Sequence, residues 1–191
     1  MTTIPSQPCT RGIKPGCDGV TARGRFPMLA DLIGYLDSIT ARADLSVLSD
    51  LLAKVRVTRS QLEPVCCFGV RSYKRNTIAE SPYYELLALC WKSGHCTPIH
   101  DHKGSSCAFR VVHGTGTEIR YRMTPSGQVC PASVHEMPEG YVCSAEDDDI
   151  HQVANFQPQG HELVTLHIYS TPIERMSTYP GLTSPGPECA G

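Results

Sequence analysis

Between about Ser72 and Ser170 the chain is a succession of short apolar runs, each rich in β-branched or aromatic residues and each bounded by Gly, Pro, Asn or Asp. The runs are YYELLALCW, CAFRVVHG, TEIRYRM and ELVTLHIYS, with a further one around GYVCS. Segments of this length and composition read as strands. Several of them at such spacing build a sandwich or a barrel, and closure of a barrel also removes exposed edges. The expected fold class is all-β. Ahead of the strands, Leu29, Leu32, Ile33, Leu36 and Ile39 recur at helical spacing, and Leu45, Leu48, Leu51, Leu52 and Val55 repeat the pattern. Two short N-terminal amphipathic helices that cover the core of the main fold follow from these stripes.

A chain of 191 residues suits one domain. Residues 1–27 are rich in Pro, Gly, Thr and Arg without an apolar period, and the stretch from Thr178 is again rich in Pro and Gly. A single domain is therefore expected over 28–179, with tails over 1–27 and 180–191. A net charge of −2 carries no excess of cations, so neither nucleic acid nor an acidic membrane surface is an expected partner. A small molecule is expected instead, bound by a monomer. No apolar run approaches the ~20 residues that cross a bilayer, and no basic segment followed by an apolar signal core stands at the N-terminus. A cytoplasmic protein is expected on that ground. Its ten cysteines are then mostly buried free thiols. No Cys-x-x-Cys pair occurs, and adjacent Cys66 and Cys67 suit a tetrahedral zinc site poorly.

In GHCTPIHDHKGSSCAFRVVHG, His100 and His102 stand two residues apart where a strand enters a turn. Side chains at i and i+2 of a strand share a face, so both imidazoles can reach one ion while Asp101 points the other way. A His-x-His pair alone is as often two ordinary histidines. Its surroundings add weight. Gly94 lies six positions before His100, Cys107 five after His102 and Gly114 seven after Cys107. This resembles the first motif of the cupins, with Cys107 at the position of that motif's Glu, and implies a cupin β-barrel, jelly-roll-like in form. Pro138, Gly140, His151 and Asn155 resemble the second cupin motif with a lengthened spacer, which implies His151 as the third ligand. Many non-haem iron oxygenases use two His and one carboxylate. Three neutral imidazoles instead leave a net charge of +2 that an anionic thiolate can offset. Zinc also accepts three histidines, so the ligand types alone do not select iron.

Cys107, the strand LVTLHIYS and the tetrapeptide YKRN together resemble cysteine dioxygenase, from about Met28 to Tyr179. The resemblance implies Fe(II) held by His100, His102 and His151, and a thioether joining the Cys107 sulfur to the Tyr169 ring. It further implies that Arg75, with Tyr73 beside it, clamps the substrate carboxylate, a task suited to a planar guanidinium. Alternation in LVTLHIYS puts Thr165, His167 and Tyr169 on one face and Val164, Leu166 and Ile168 on the other. Beside a metal, His167 would orient the Tyr169 hydroxyl. The resemblance further implies that Thr97, at the position three residues before the first ligand where the family carries a Ser, supplies the hydroxyl that completes this relay.

The implied reaction adds both atoms of dioxygen to the sulfur of cysteine and gives cysteine sulfinic acid, a step of cysteine catabolism. The alternatives are a dioxygenase for another small thiol, such as 3-mercaptopropionate or cysteamine, and a non-catalytic metal-binding cupin. Arg75 disfavours cysteamine, which has no carboxylate. Trp91 reads as packing and Cys96 as a bystander, whereas Cys143 reads as a thiol near the pocket mouth. His95, His113, His135 and His161 lie near turns and receive no role.

Overall fold

The computed structural model describes residues 21–145, 149–173 and 176–180. Among the described residues, ten strands form two five-stranded antiparallel sheets. In chain order they are β1 (Lys74–Ser81), β2 (Tyr84–Trp91), β3 (Ile99–His100), β4 (Ser106–His113), β5 (Gly116–Met123), β6 (Val129–Met137), β7 (Val142–Ala145), β8 (Ile150–Ala154), β9 (Leu163–Ser170) and β10 (Thr178–Tyr179). One sheet has the order β1-β2-β9-β4-β7 and the other β10-β3-β8-β5-β6. The all-β expectation holds, and the five runs read as strands correspond to β2, β4, β5, β7 and β9.

Sheet β1-β2-β9-β4-β7 is covered on both faces, so every residue of β9 and nearly every residue of β2 is buried. Leu86, Ala88, Cys90, Ala108, Val112, Val164, Leu166 and Ile168 join one core with the helices. The alternate residues Leu87, Leu89, Trp91, Cys107, Phe109, Val111 and Tyr169 join a second core with Met137 and Val153 of the other sheet. The helices are α1 (Ala22–Arg25), a 3-10 turn (Pro27–Leu29), α2 (Ala30–Ser38) and α3 (Leu45–Lys54). Asp44 caps α3 by accepting from the amides of Ser46 and Val47, which satisfies donors that have no partner inside the helix. The α3 stripe packs on β4 and β7 through Leu48 and Leu52, both fully buried.

Three departures from the sequence reading have physical causes. Residues 21–27, expected as tail, are partly helical: the Thr21 hydroxyl caps α1, and Phe26 is only 2% exposed within the helix-covered core. Tails over 1–20 and 181–191 lie outside the described residues. Strand β6 lacks an apolar alternation because it is an edge strand with mostly exposed side chains, the setting that tolerates Pro131. Thr178 and Tyr179 form β10 against β3.

The motif glycines and Asn155 shape turns. Gly114 has φ 79°, and a Cβ there would lie 2.4 Å from the Glu162 carbonyl oxygen. Asn155 donates from Nδ2 to the carbonyls of Trp91 and His161, tying two turns at one end of the barrel. Six described cysteines are free thiols and Cys67 is disulfide-bonded. No described helix is long and apolar enough to cross a membrane.

Leu48→Ala should lower the free energy of unfolding by about 2–5 kcal/mol, since the cavity forms where helix and sheet are packed on all sides. Urea titration would show this as a lower midpoint at unchanged slope.

Candidate metal centre and active site

Antiparallel pairing of β3 with β8 sets His100 directly opposite His151, and His102 follows from the turn after β3. The three imidazoles are buried and offer ligand atoms within 4.8 Å of one another. Burial, reinforced by the nearby His151, pushes His100 down to about 4 and His102 down to about 3. Both rings are therefore neutral at pH 7 and can bind a cation without first releasing a proton. His100 Nδ1 is 2.9 Å from the Pro98 carbonyl oxygen, which leaves its Nε2 for a ligand role. His102 Nδ1 and His151 Nε2 are buried with no hydrogen-bond partner. Unpaired buried nitrogens are costly, so the cluster fits a bound metal ion.

His151 Nδ1 lies 2.8 Å from Glu118 Oε1 on β5, and the other Glu118 oxygen accepts from Arg120 Nε at 3.0 Å. Burial opposes charge on Glu118, but His151 and Arg120 together outweigh it and hold the carboxyl below its usual range. Such a carboxylate fixes which ring nitrogen faces the metal and raises ligand basicity. The sequence hid this residue. In TEIRYRM the inward face carries Glu118 and Arg120 while Ile119 and Tyr121 lie on the other, the reverse of a simple amphipathic strand. An acidic residue on that charged face gave no signal distinct from a solvated one.

On the other sheet, Cys107 of β4 is directly opposite Tyr169 of β9, and Phe109 is opposite His167. The Phe109 and His167 rings stack with centroids 4.8 Å apart and planes inclined by 9°. The Tyr169 hydroxyl is 3.3 Å from His167 Nδ1, and His167 Nε2 is 3.0 Å from Thr165 Oγ1. Trp91 Nε1 donates to the same Thr165 oxygen at 3.0 Å, so Trp91 anchors a hydrogen-bond chain as well as packing. Burial raises the Cys107 thiol and the Tyr169 hydroxyl and lowers His167, leaving the whole chain neutral.

This corrects the assignment of Thr97 to the relay. Thr97 lines the same cavity, but its hydroxyl accepts from the Val153 amide at 3.0 Å and so fastens the segment before β3 to β8. Thr165, two residues before His167 on the same strand face, is the hydroxyl that His167 meets.

A single cavity brings together Tyr73, Arg75, His100, His102, Cys107, His151, His167 and Tyr169, with Leu89, Thr97, Val153 and Met176 completing its wall. Tyr73 stacks on Trp91 at 4.2 Å. The Arg75 guanidinium lies over the Tyr169 ring at 5.1 Å, and its Nη2 is 2.9 Å from Glu85 Oε2. Met176 was not singled out because it belongs to the segment just before the Pro and Gly rich end. That segment is held by Asp101, whose carboxylate accepts from the Tyr179 hydroxyl at 2.6 Å and the Ser177 amide at 3.2 Å. Asp101 thus points away from the metal cluster, as the alternation requires. Cys143 is not at a pocket mouth: it is 5% exposed, absent from the cavity wall, and its sulfur lies 3.9 Å from Glu118 Oε1.

Glu118→Gln should reduce metal affinity about 10- to 100-fold by removing the anionic partner of His151. Chelator competition followed by metal analysis would measure the loss, and an unaltered affinity would remove Glu118 from the metal centre.

The sequence profile of the family described as cysteine dioxygenase type I matches residues 21–181. The chain is 27% identical to cysteine dioxygenase type 1 of Homo sapiens over 153 residues, which cover 76% of each protein. It is 28% identical to that of Rattus norvegicus over the same length and coverage. Among solved structures, it is similar to an uncharacterized conserved protein with a double-stranded β-helix domain from Klebsiella pneumoniae. The TM-score is 0.52 at 11% identity, over 74% of this chain and 98% of the other. That likeness concerns the fold and agrees with the two facing sheets. With a profile spanning both sheets and the whole cavity wall, the chain belongs to the cysteine dioxygenase type I family.

Proposed function

We propose that the chain is an Fe(II)-dependent dioxygenase that converts L-cysteine to cysteine sulfinic acid. The observation that carries this reading is a single cavity lined by a buried three-histidine cluster at one side and the Arg75 guanidinium at another, with Tyr169 between them. Ferrous iron, held by His100, His102 and His151, would supply the site where thiolate and dioxygen meet and the electrons that join them. Three neutral ligands leave the ion's charge to be offset by an anion, and a cysteine thiolate provides one.

The protein's own groups then orient and enclose. Arg75 receives the carboxylate through its free N–H donors, which fixes a short amino acid by its end remote from sulfur. Trp91 can only donate, so Thr165 Oγ1 accepts from it and keeps its own hydrogen for His167 Nε2. His167 can then donate from Nδ1 to the Tyr169 oxygen, which frees the Tyr169 proton to face the cavity and to stabilise negative charge there. Leu89, Val153 and Met176 exclude water around the reacting sulfur. The register that opposes Cys107 to Tyr169, with both nearly fully buried, supports a thioether between the Cys107 sulfur and the Tyr169 ring.

A dioxygenase for 3-mercaptopropionate is the second reading, because Arg75 can clamp the carboxylate of either thiol. Relative kcat/KM for the two thiols separates them.

Anaerobic loading with Fe(II), followed by oxygen uptake on adding cysteine, should yield cysteine sulfinate. Absence of that product would remove the reading. Arg75→Ala should raise KM for cysteine about 10- to 100-fold, the scale of a lost charge-assisted contact, and leave cysteamine nearly unaffected. The intact mass of the turned-over protein should fall by the mass of two hydrogens, mapped to the peptides holding Cys107 and Tyr169, and Cys107→Ser should abolish that loss.

A further inference from the structure

The geometry points to Glu85 as the positioning residue of the Arg75 clamp, setting how strongly this cavity prefers thiols that bear a carboxylate. The inference rests on the reading of Arg75 as the carboxylate clamp.

Glu85 lies on the face of β2 that carries Leu87 and Leu89 into the barrel, and the β2–β9 register places it opposite Tyr169. Arg75 is opposite Leu89 in the β1–β2 register. Its side chain therefore runs along the sheet past Leu87 to reach the row of Glu85 and Tyr169. It ends with Nη2 on Glu85 Oε2 at 2.9 Å and the guanidinium carbon 5.1 Å from the Tyr169 ring centre.

An arginine side chain gives up much rotamer freedom when it is fixed. The side chain of Arg75 is 35% exposed, so packing alone does not hold it. A partly exposed ion pair of this kind contributes little to fold stability. Its effect is orientation: Glu85 accepts at Nη2 from one side, the Tyr169 ring supports the plane from another, and the remaining N–H donors stay available to an incoming carboxylate. Glu85 is absent from the cavity wall and touches the substrate only through Arg75.

Sulfinate formation from cysteine and cysteamine, with dissociation constants from anaerobic calorimetry on the metal-loaded protein, tests this in four variants. Glu85→Ala should raise both KM and the dissociation constant for cysteine about tenfold. Its kcat should stay within about twofold, and its cysteamine constants should not move. Glu85→Gln, whose amide oxygen can still accept from Nη2, should recover most of the loss. Combined with Arg75→Ala, Glu85→Ala should add nothing further. If Arg75→Ala weakens cysteine strongly and Glu85→Ala does not, the positioning role is overturned while the clamp stands. An equal loss for cysteine and cysteamine, or one undiminished in the Arg75→Ala background, marks a merely structural residue. If Arg75→Ala itself leaves cysteine binding unchanged, the clamp reading fails and the role of Glu85 falls with it.

Discussion

The single backbone register that sets His100 opposite His151 is the constraint on which the site depends. One residue of slip would turn His151 to the far face of β8 and bring Ile150 or Gln152 into its place, since side chains alternate strictly along a strand. The register is secured from several directions. The Thr97 hydroxyl takes the Val153 amide, Gln152 reaches the Thr97 carbonyl, and Asn155 pins the adjoining turns. Short strands such as β3 cannot fix their own register by length, so these side-chain contacts do it.

Electrostatics in the cavity follow from which groups are left neutral and which are paired. Burial keeps His100, His102 and His167 uncharged and the Cys107 and Tyr169 protons in place. Carboxylates near the site are each provided with partners: Glu118 is matched to Arg120, Glu85 to Arg75, and Asp101 is held by Tyr179 and Ser177. An unpaired buried carboxylate would cost several kcal/mol. Pairing lets Glu118 remain an anion behind His151, where it moderates the positive field that a divalent ion would create.

Much of this was legible from residue patterns because the informative groups were close in sequence or strictly alternating. His100 and His102 share a face by spacing, LVTLHIYS separates polar from apolar residues, and the two leucine stripes define α2 and α3. What escaped the sequence depended on contacts between distant strands. Glu118, Glu85 and Met176 have no local signature, since their neighbours are set by the sheet order. Thr97 was assigned to the relay from its distance to His100 along the chain, yet Thr165 occupies that place because β9 itself carries hydroxyl, imidazole and phenol on one face. Likewise α1 and β10 are short elements stabilised by a cap and by a buried carboxylate rather than by an apolar period.

The position of Asp101 gives the segment around Tyr179 a mechanical link to the histidine cluster. Its carboxylate sits between His100 and His102 in sequence and grips Tyr179 and Ser177, while Thr178 pairs with His100 itself. Tension applied beyond residue 180 is thus delivered to the two-residue strand that carries His100, with only a few hydrogen bonds in series. Immobilising the protein through that end would load the histidine cluster directly, so the grip of Asp101 on this segment also acts as a lever on His100 and His102.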